Sequence, residues 1–119
     1  MTTTVLQMRS SAMQFRDQIE YPEAGILSKV LLKDNCCQYT LFCLAAGTEI
    51  SEHTATRNAT VHVLAGQGQL TLEGQVISLV PGTFVVMPAH APHALNAEKN
   101  LAFLLVLSEQ SQPRQAQEA

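Results

Sequence analysis

Two stretches decide the fold: residues 47–66, GTEISEHTATRNATVHVLAG, and residues 82–96, GTFVVMPAHAPHALN. Each opens on a glycine, runs on as a strand and reaches a histidine near a turn. Gly47 leads after five residues to His53, and Gly82 leads through Pro88 to His93 and Asn96. Both stretches read as strand hairpins, because short β-prone runs are bounded by Gly, Pro and Asn. Each hairpin then sets its histidine where a small barrel has its mouth. Imidazoles delivered by distant strands can meet on one metal ion or one substrate.

The pattern extends along the chain. Strands are predicted over residues 26–33, 36–45, 49–54, 60–65, 69–73, 75–80, 83–87, 93–97 and 101–107. Asp34-Asn35, Gly66-Gln67-Gly68 and Gly74 turn the chain, and Pro81-Gly82 supplies the fixed φ and positive φ of a type II turn. Short strands at ~8–12-residue intervals, with no sustained helical period, predict an all-β sandwich or barrel. The strand over 36–45 carries Tyr39, Leu41 and Cys43 on one face and Phe42 and Leu44 on the other, so it is expected to be covered on both sides. Residues 1–20 form a lead-in of short strands or a turn of helix, packing on the barrel or on a partner subunit. Residues 21–108 form the barrel, and 109–119 a polar tail.

Composition narrows the function classes. A chain of 119 residues is one domain's worth, and 46% hydrophobic with 14% charged residues is a globular composition. Net charge is −3 with seven scattered Lys and Arg, so no basic run exists to track phosphates and no nucleic-acid partner is expected. No apolar run approaches the ~20 residues that span a bilayer, so no membrane partner is expected. The first ten residues lack the apolar core of a secretory signal, which makes the cytoplasm the expected compartment. Cys36, Cys37 and Cys43 are an odd count without metal-finger spacing and are expected as buried apolar thiols.

The two quoted stretches resemble the two motifs of the cupin superfamily. The first motif runs Gly, five residues, His-x-His, three or four residues, Glu, six residues, Gly. Gly47, His53 and Gly66 match it, whereas Ala55 and Ala59 stand at the second histidine and the glutamate. The second motif runs Gly, five residues, Pro-x-Gly-x-x-His, then Asn. Gly82, Pro88, His93 and Asn96 match it, with His90 in place of the internal glycine. The resemblance implies a double-stranded β-helix, the jelly-roll barrel of that superfamily. In its metal-dependent members three histidines and the glutamate hold a divalent ion. The resemblance therefore implies iron, manganese, nickel or zinc as the candidate cofactor. Position by position only His53 and His93 carry over, and His62 and His90 are the candidates that would complete the set. Alternation with Val61 and Val63 inward puts His62 on the opposite face unless a bulge intervenes. His90 lies in the loop beside His93, within swing of the mouth.

The candidate ligand pocket comprises His53, His93, Arg57, Met87 and Phe84, with Arg57 as an anion contact at the mouth and Met87 and Phe84 filling the barrel. Glu52 should face away from its neighbour His53, and Asn96 should satisfy backbone groups near the last strands. The function expected first is a single-domain cupin that binds a small-molecule ligand in the barrel mouth. The alternatives are a metal-dependent oxygenase or an isomerase with histidine as general base, and a regulatory or sensor module acting through a partner. The low charge count, the two-faced strand and the resemblance all point to a homodimer, with the N-terminal strands joining the partner's sheet.

Overall fold

The computed structural model describes residues 4–109. The first three residues of the lead-in and residues 110–119 of the polar tail lie outside the described residues. A 3₁₀ turn (Phe15–Asp17) precedes strands β1 (Ile26–Lys33), β2 (Cys37–Leu44), β3 (Glu49–His53), β4 (Asn58–Ala65), β5 (Gly68–Leu72), β6 (Gln75–Leu79), β7 (Phe84–Met87), β8 (His93–Ala97) and β9 (Leu101–Ser108). Every predicted strand has its counterpart, with ends moved by at most two residues. Among the described residues, no helix is long and apolar enough to cross a membrane.

The strands form two antiparallel sheets, one in the order β1-β2-β9-β4-β7 and the other β3-β8-β5-β6. This is a jelly-roll sandwich. Its core is the inward row of each strand: Leu44, Val61, Val63, Leu70, Leu79 and Leu101 are all but fully buried between the sheets. The period of two along each strand sorts these residues inward and their neighbours outward.

Strand β2 is apolar on both faces for two separate reasons. Phe42 and Leu44 face the core between the sheets, whereas Leu41 and Cys43 join Leu31 and Ala102 in a second cluster on the outer face of the larger sheet. The chain's own lead-in covers that cluster with Met13, Phe15, Ile19 and Tyr21. Backbone and side-chain bonds hold the lead-in down. The N–H groups of Val5 and Leu6 donate to the carbonyls of Val30 and Leu31 at 2.9 and 2.7 Å. Lys29 Nζ donates to the Gln18 carbonyl at 2.8 Å and pairs with Glu20 at 3.4 Å. The two-faced strand therefore gives no argument for a dimer, because its outer face is satisfied within the chain.

Two glycines mark where the sheets' connections press together. Gly66, at φ +95°, lies so close to Asn100 that a Cβ would overlap the Asn100 carbonyl oxygen, and a Cβ on Gly68 would come within 2.5 Å of the Asn96 carbonyl oxygen. The β1–β2 turn is closed by Asp34, whose Oδ1 accepts from the N–H groups of Cys36 and Cys37 at 2.8 and 2.7 Å. Those two bonds hold the Asp34 carboxyl below the usual carboxylate range. Only Cys43 is a buried thiol; Cys37 is half-buried and Cys36 exposed, since both sit at this turn.

Candidate functional site

His53 ends β3 and His93 opens β8, and the two strands pair so that these residues lie directly opposite each other. Their rings meet edge to face, with centroids 4.2 Å apart and planes inclined by 61°. The inward aim of His53 depends on an irregularity. Ile50 and His53 both line the same cavity although they are three residues apart, which an unbroken strand forbids. The register slips between them, and that slip lets His53 line the cavity although it remains exposed, as Glu52 beside it is. On β8, His93 and Leu95 reach the cavity by ordinary alternation.

The cavity holds about 260 Å³, and besides the two histidines it is lined by Phe42, Ile50, Val61, Leu70, Met87, Leu95, Phe103 and Leu105. Phe42 and Phe103 are register partners on β2 and β9 and stack at 5.3 Å and 16°, forming an aromatic wall. Among the described residues the imidazoles are the only polar side chains in this lining.

Their protons are placed by the backbone. Nδ1 of His53 lies 2.9 Å from the Ser51 carbonyl oxygen, and Nδ1 of His93 lies 2.9 Å from that of Ala91. A carbonyl oxygen only accepts, so each Nδ1 carries the hydrogen, and in the neutral ring Nε2 is left as a free lone pair. Both rings are thus held in the same tautomer by the carbonyl two residues back.

Met87, facing inward from β7, lines the cavity. Phe84 does not. It is 62% exposed on the outer face, because β7 is unbroken and Val85 and Met87 take the inward positions. His62 is outward too, edge to face with Phe84 at 6.5 Å between centroids. The β4 register runs unbroken from Ala59 to Val63, so no bulge returns His62 to the interior. His90 is exposed and does not line the cavity. Its N–H donates to the Ala55 carbonyl at 2.7 Å, and its φ of +72° is the conformation a glycine would adopt at this motif position. Arg57 is half-buried in the β3–β4 connection and also lies outside the lining. Among the described residues the Asn96 side chain makes no hydrogen bond; Asn58, which accepts from Ala89 N–H, and Asn100, which accepts from Ala46 N–H, serve backbone groups at nearby loops instead. Sequence reasoning missed Ile50, Val61, Leu70 and Leu95 as lining residues, and also Phe42 on β2 and Phe103 and Leu105 on β9. For the last three, shared parity with the core positions of β2 and β9 was the available signal.

A divalent centre needs three or more protein donors, and oxygen- or thiolate-bearing ligands usually offset its charge. Among the described residues, no three His, Cys, Asp or Glu side chains come together. Ala55 and Ala59 carry only a methyl group, so neither motif position supplies a donor. Two neutral imidazoles in an apolar lining do not fit iron, manganese, nickel or zinc in the four-ligand manner.

The family model described as a cupin domain matches residues 40–107, more than half of the chain. Comparison with the curated proteins finds no match. Among solved structures, a conserved protein of unknown function from Streptococcus pyogenes superposes with a TM-score of 0.78 at 25% identity, over 93% of this chain and 98% of that one. A cupin superfamily protein from Desulfitobacterium hafniense DCB-2 also reaches 0.78, at 26% identity over 92% of this chain and 99% of that one. A cupin 2 conserved barrel domain protein from Leptotrichia buccalis is 33% identical, with a TM-score of 0.73, over 79% of this chain and 46% of that one.

Proposed function

The chain belongs to the cupin family, and on that footing we propose that it binds a small organic molecule in the barrel mouth. The ligand's apolar body occupies the cavity, and a hydrogen-bond-donating head meets His53 and His93. One observation carries this reading: both imidazoles are held with Nδ1–H on a backbone carbonyl, so two Nε2 acceptors stand free beside an apolar cavity. The volume of about 260 Å³ lies just below the ~300 Å³ at which drug-sized sites begin, so the ligand is small.

The test is a fragment panel screened against metal-free protein by amide NMR. Ligands with an apolar ring or chain and one hydroxyl, amide or ammonium head should shift His53, His93 and Leu95. His53→Ala and His93→Ala should each weaken the best hit about tenfold, the worth of one hydrogen bond, with little change in melting temperature. Hits that map elsewhere, or that ignore both substitutions, would reject the reading.

The same locked tautomer favours one enzymatic alternative over the other. A neutral Nε2 anchored through Nδ1–H is the arrangement of a general base, which suits an isomerase better than an oxygenase. Solvent-deuterium uptake into a bound carbon acid would report it.

We also propose that the protein works as a homodimer. The outer face at β7 and β4 supports this, with Phe84 62% and Val86 58% exposed on an edge strand. Three free thiols suit a reducing compartment such as the cytoplasm.

A further inference from the structure

Away from the barrel mouth, two free thiols stand side by side at the β1–β2 turn, Cys36 exposed and Cys37 half-buried. We propose that this adjacent pair is a chelating dithiol site for trivalent arsenic, taken as arsenous acid or as an organoarsenic(III) oxide.

The backbone that carries the thiols is fixed. Asp34 Oδ1 accepts from the N–H groups of both cysteines. Asp34 N–H donates to the Cys37 carbonyl at 3.0 Å, and Glu109 N–H donates to the Cys36 carbonyl at 3.1 Å, which ties the turn to the end of β9. Every backbone N–H and C=O of the pair is therefore paired, and little backbone freedom is left to lose on binding. Cys37 opens β2 and Cys36 lies in the turn before it. Alternation to opposite faces is a property of extended residues, so it does not hold the two thiols apart.

Spacing selects what the pair takes. Across their trans peptide bond the two Cα atoms are about 3.8 Å apart. Disulfides usually join Cα atoms about 4.4–6.8 Å apart, so a direct bond between these neighbours is strained. An atom inserted between the sulfurs lengthens the link and relieves that crowding. Among the described residues no third His, Cys, Asp or Glu side chain completes a metal site with the pair, so a four-ligand zinc centre is not formed here. Arsenic(III) is thiophilic and three-coordinate, and it brings its own third ligand, a hydroxyl or an organic group.

The chemistry balances without a redox partner. Arsenous acid condenses with two thiols: two As–O bonds break, two As–S bonds form, and each thiol proton leaves with a hydroxyl as water. Arsenic stays trivalent. The product is uncharged, so it adds no like charge beside the Asp34 carboxylate.

The site lies at the opposite edge of the larger sheet from β7, and neither thiol lines the cavity. Its occupancy is thus independent of the organic ligand proposed for the mouth.

The test titrates the reduced full chain with arsenous acid and, separately, with phenylarsine oxide. Native mass spectrometry should show one arsenic per chain. The melting temperature should rise with arsenic concentration, because the folded turn holds the dithiol in place better than the unfolded chain does. Cys36→Ser and Cys37→Ser should each weaken binding by about 100-fold or more, since loss of one sulfur removes the intramolecular second attachment. Circular dichroism checks that both variants stay folded. Cys43→Ala, which removes the buried thiol, should bind as the wild type does. Unchanged affinity in either turn variant overturns the proposal, and so does loss of binding in Cys43→Ala. A melting temperature that stays level or falls as arsenic binds overturns it too, since the unfolded chain would then be at least as good a ligand.

Discussion

At the residue scale, six positions show where local rules hold and where they meet their limits. Gly66 and Gly74 both have positive φ, yet their surroundings differ: a Cβ on Gly66 meets the Asn100 backbone, and a Cβ on Gly74 meets nothing within 4 Å. Gly74→Ala should therefore cost only the left-handed conformation, about 1–2 kcal/mol. Gly66→Ala must also displace the Asn100 carbonyl and should cost more than about 3 kcal/mol. Chemical denaturation of the two variants checks this, and equal losses would show that the close approach carries no weight. His90 takes a glycine-like φ of +72°, as a substitution at a glycine position of the motif would demand. His62 was legible as outward-facing from alternation with Val61 and Val63. Phe84 was legible in the same way, since it and Met87 are three apart on an unbroken strand and cannot both fill the barrel. His53 was not legible by alternation, because a register slip between Ile50 and His53 decides its aim, and slips leave no mark in the apolar period.

At the element scale, β2 explains why apolar content alone does not predict assembly. Its two apolar faces meet different partners, the opposing sheet and the lead-in. Leu41 is fully buried beneath the lead-in, so Leu41→Ala should cost about 2–5 kcal/mol. Phe15 is half-buried on the 3₁₀ turn above it, and Phe15→Ala should cost about 1–2 kcal/mol, roughly half of a full aromatic burial. Phe15→Ala should also raise the reactivity of the Cys43 thiol toward an aromatic disulfide reagent, because Cys43 lies in the same cluster with no exposed surface. Unchanged stability and unchanged Cys43 reactivity would mean that the lead-in does not seal this face. The β1–β2 turn adds a pH dependence of known sign. The Asp34 carboxyl titrates lower in the folded chain than its ordinary value, so its contribution is present above about pH 4 and is lost as pH falls through the lowered value.

At the scale of the whole molecule, the uncovered apolar surface among the described residues is the outer face of β4 and β7, since the outer face of β9 packs on the cluster beneath the lead-in. Thr60, His62, Phe84 and Val86 share it by register, and none carries an acidic or basic charge apart from the titratable His62. An uncharged, self-complementary face can meet its own copy about a two-fold axis without like-charge repulsion. Light scattering at micromolar concentration should show a dimer, and the double variant Phe84→Ser, Val86→Ser should be a folded monomer. A wild-type monomer would reject this. The sequence by itself determined the strands, their turns and the barrel, because alternation, glycine and proline act within a few residues. It also determined that the metal motif lacks two of its ligands, since Ala55 and Ala59 offer no donor whatever the fold. Only the tertiary structure decided which apolar face of β2 is covered by the chain itself. It alone paired His53 with His93 across a register slip and brought Phe42 and Phe103 to the same cavity. The reason is physical: local periodicity assigns a residue to a face, but strand register and packing across the sandwich determine what that face meets.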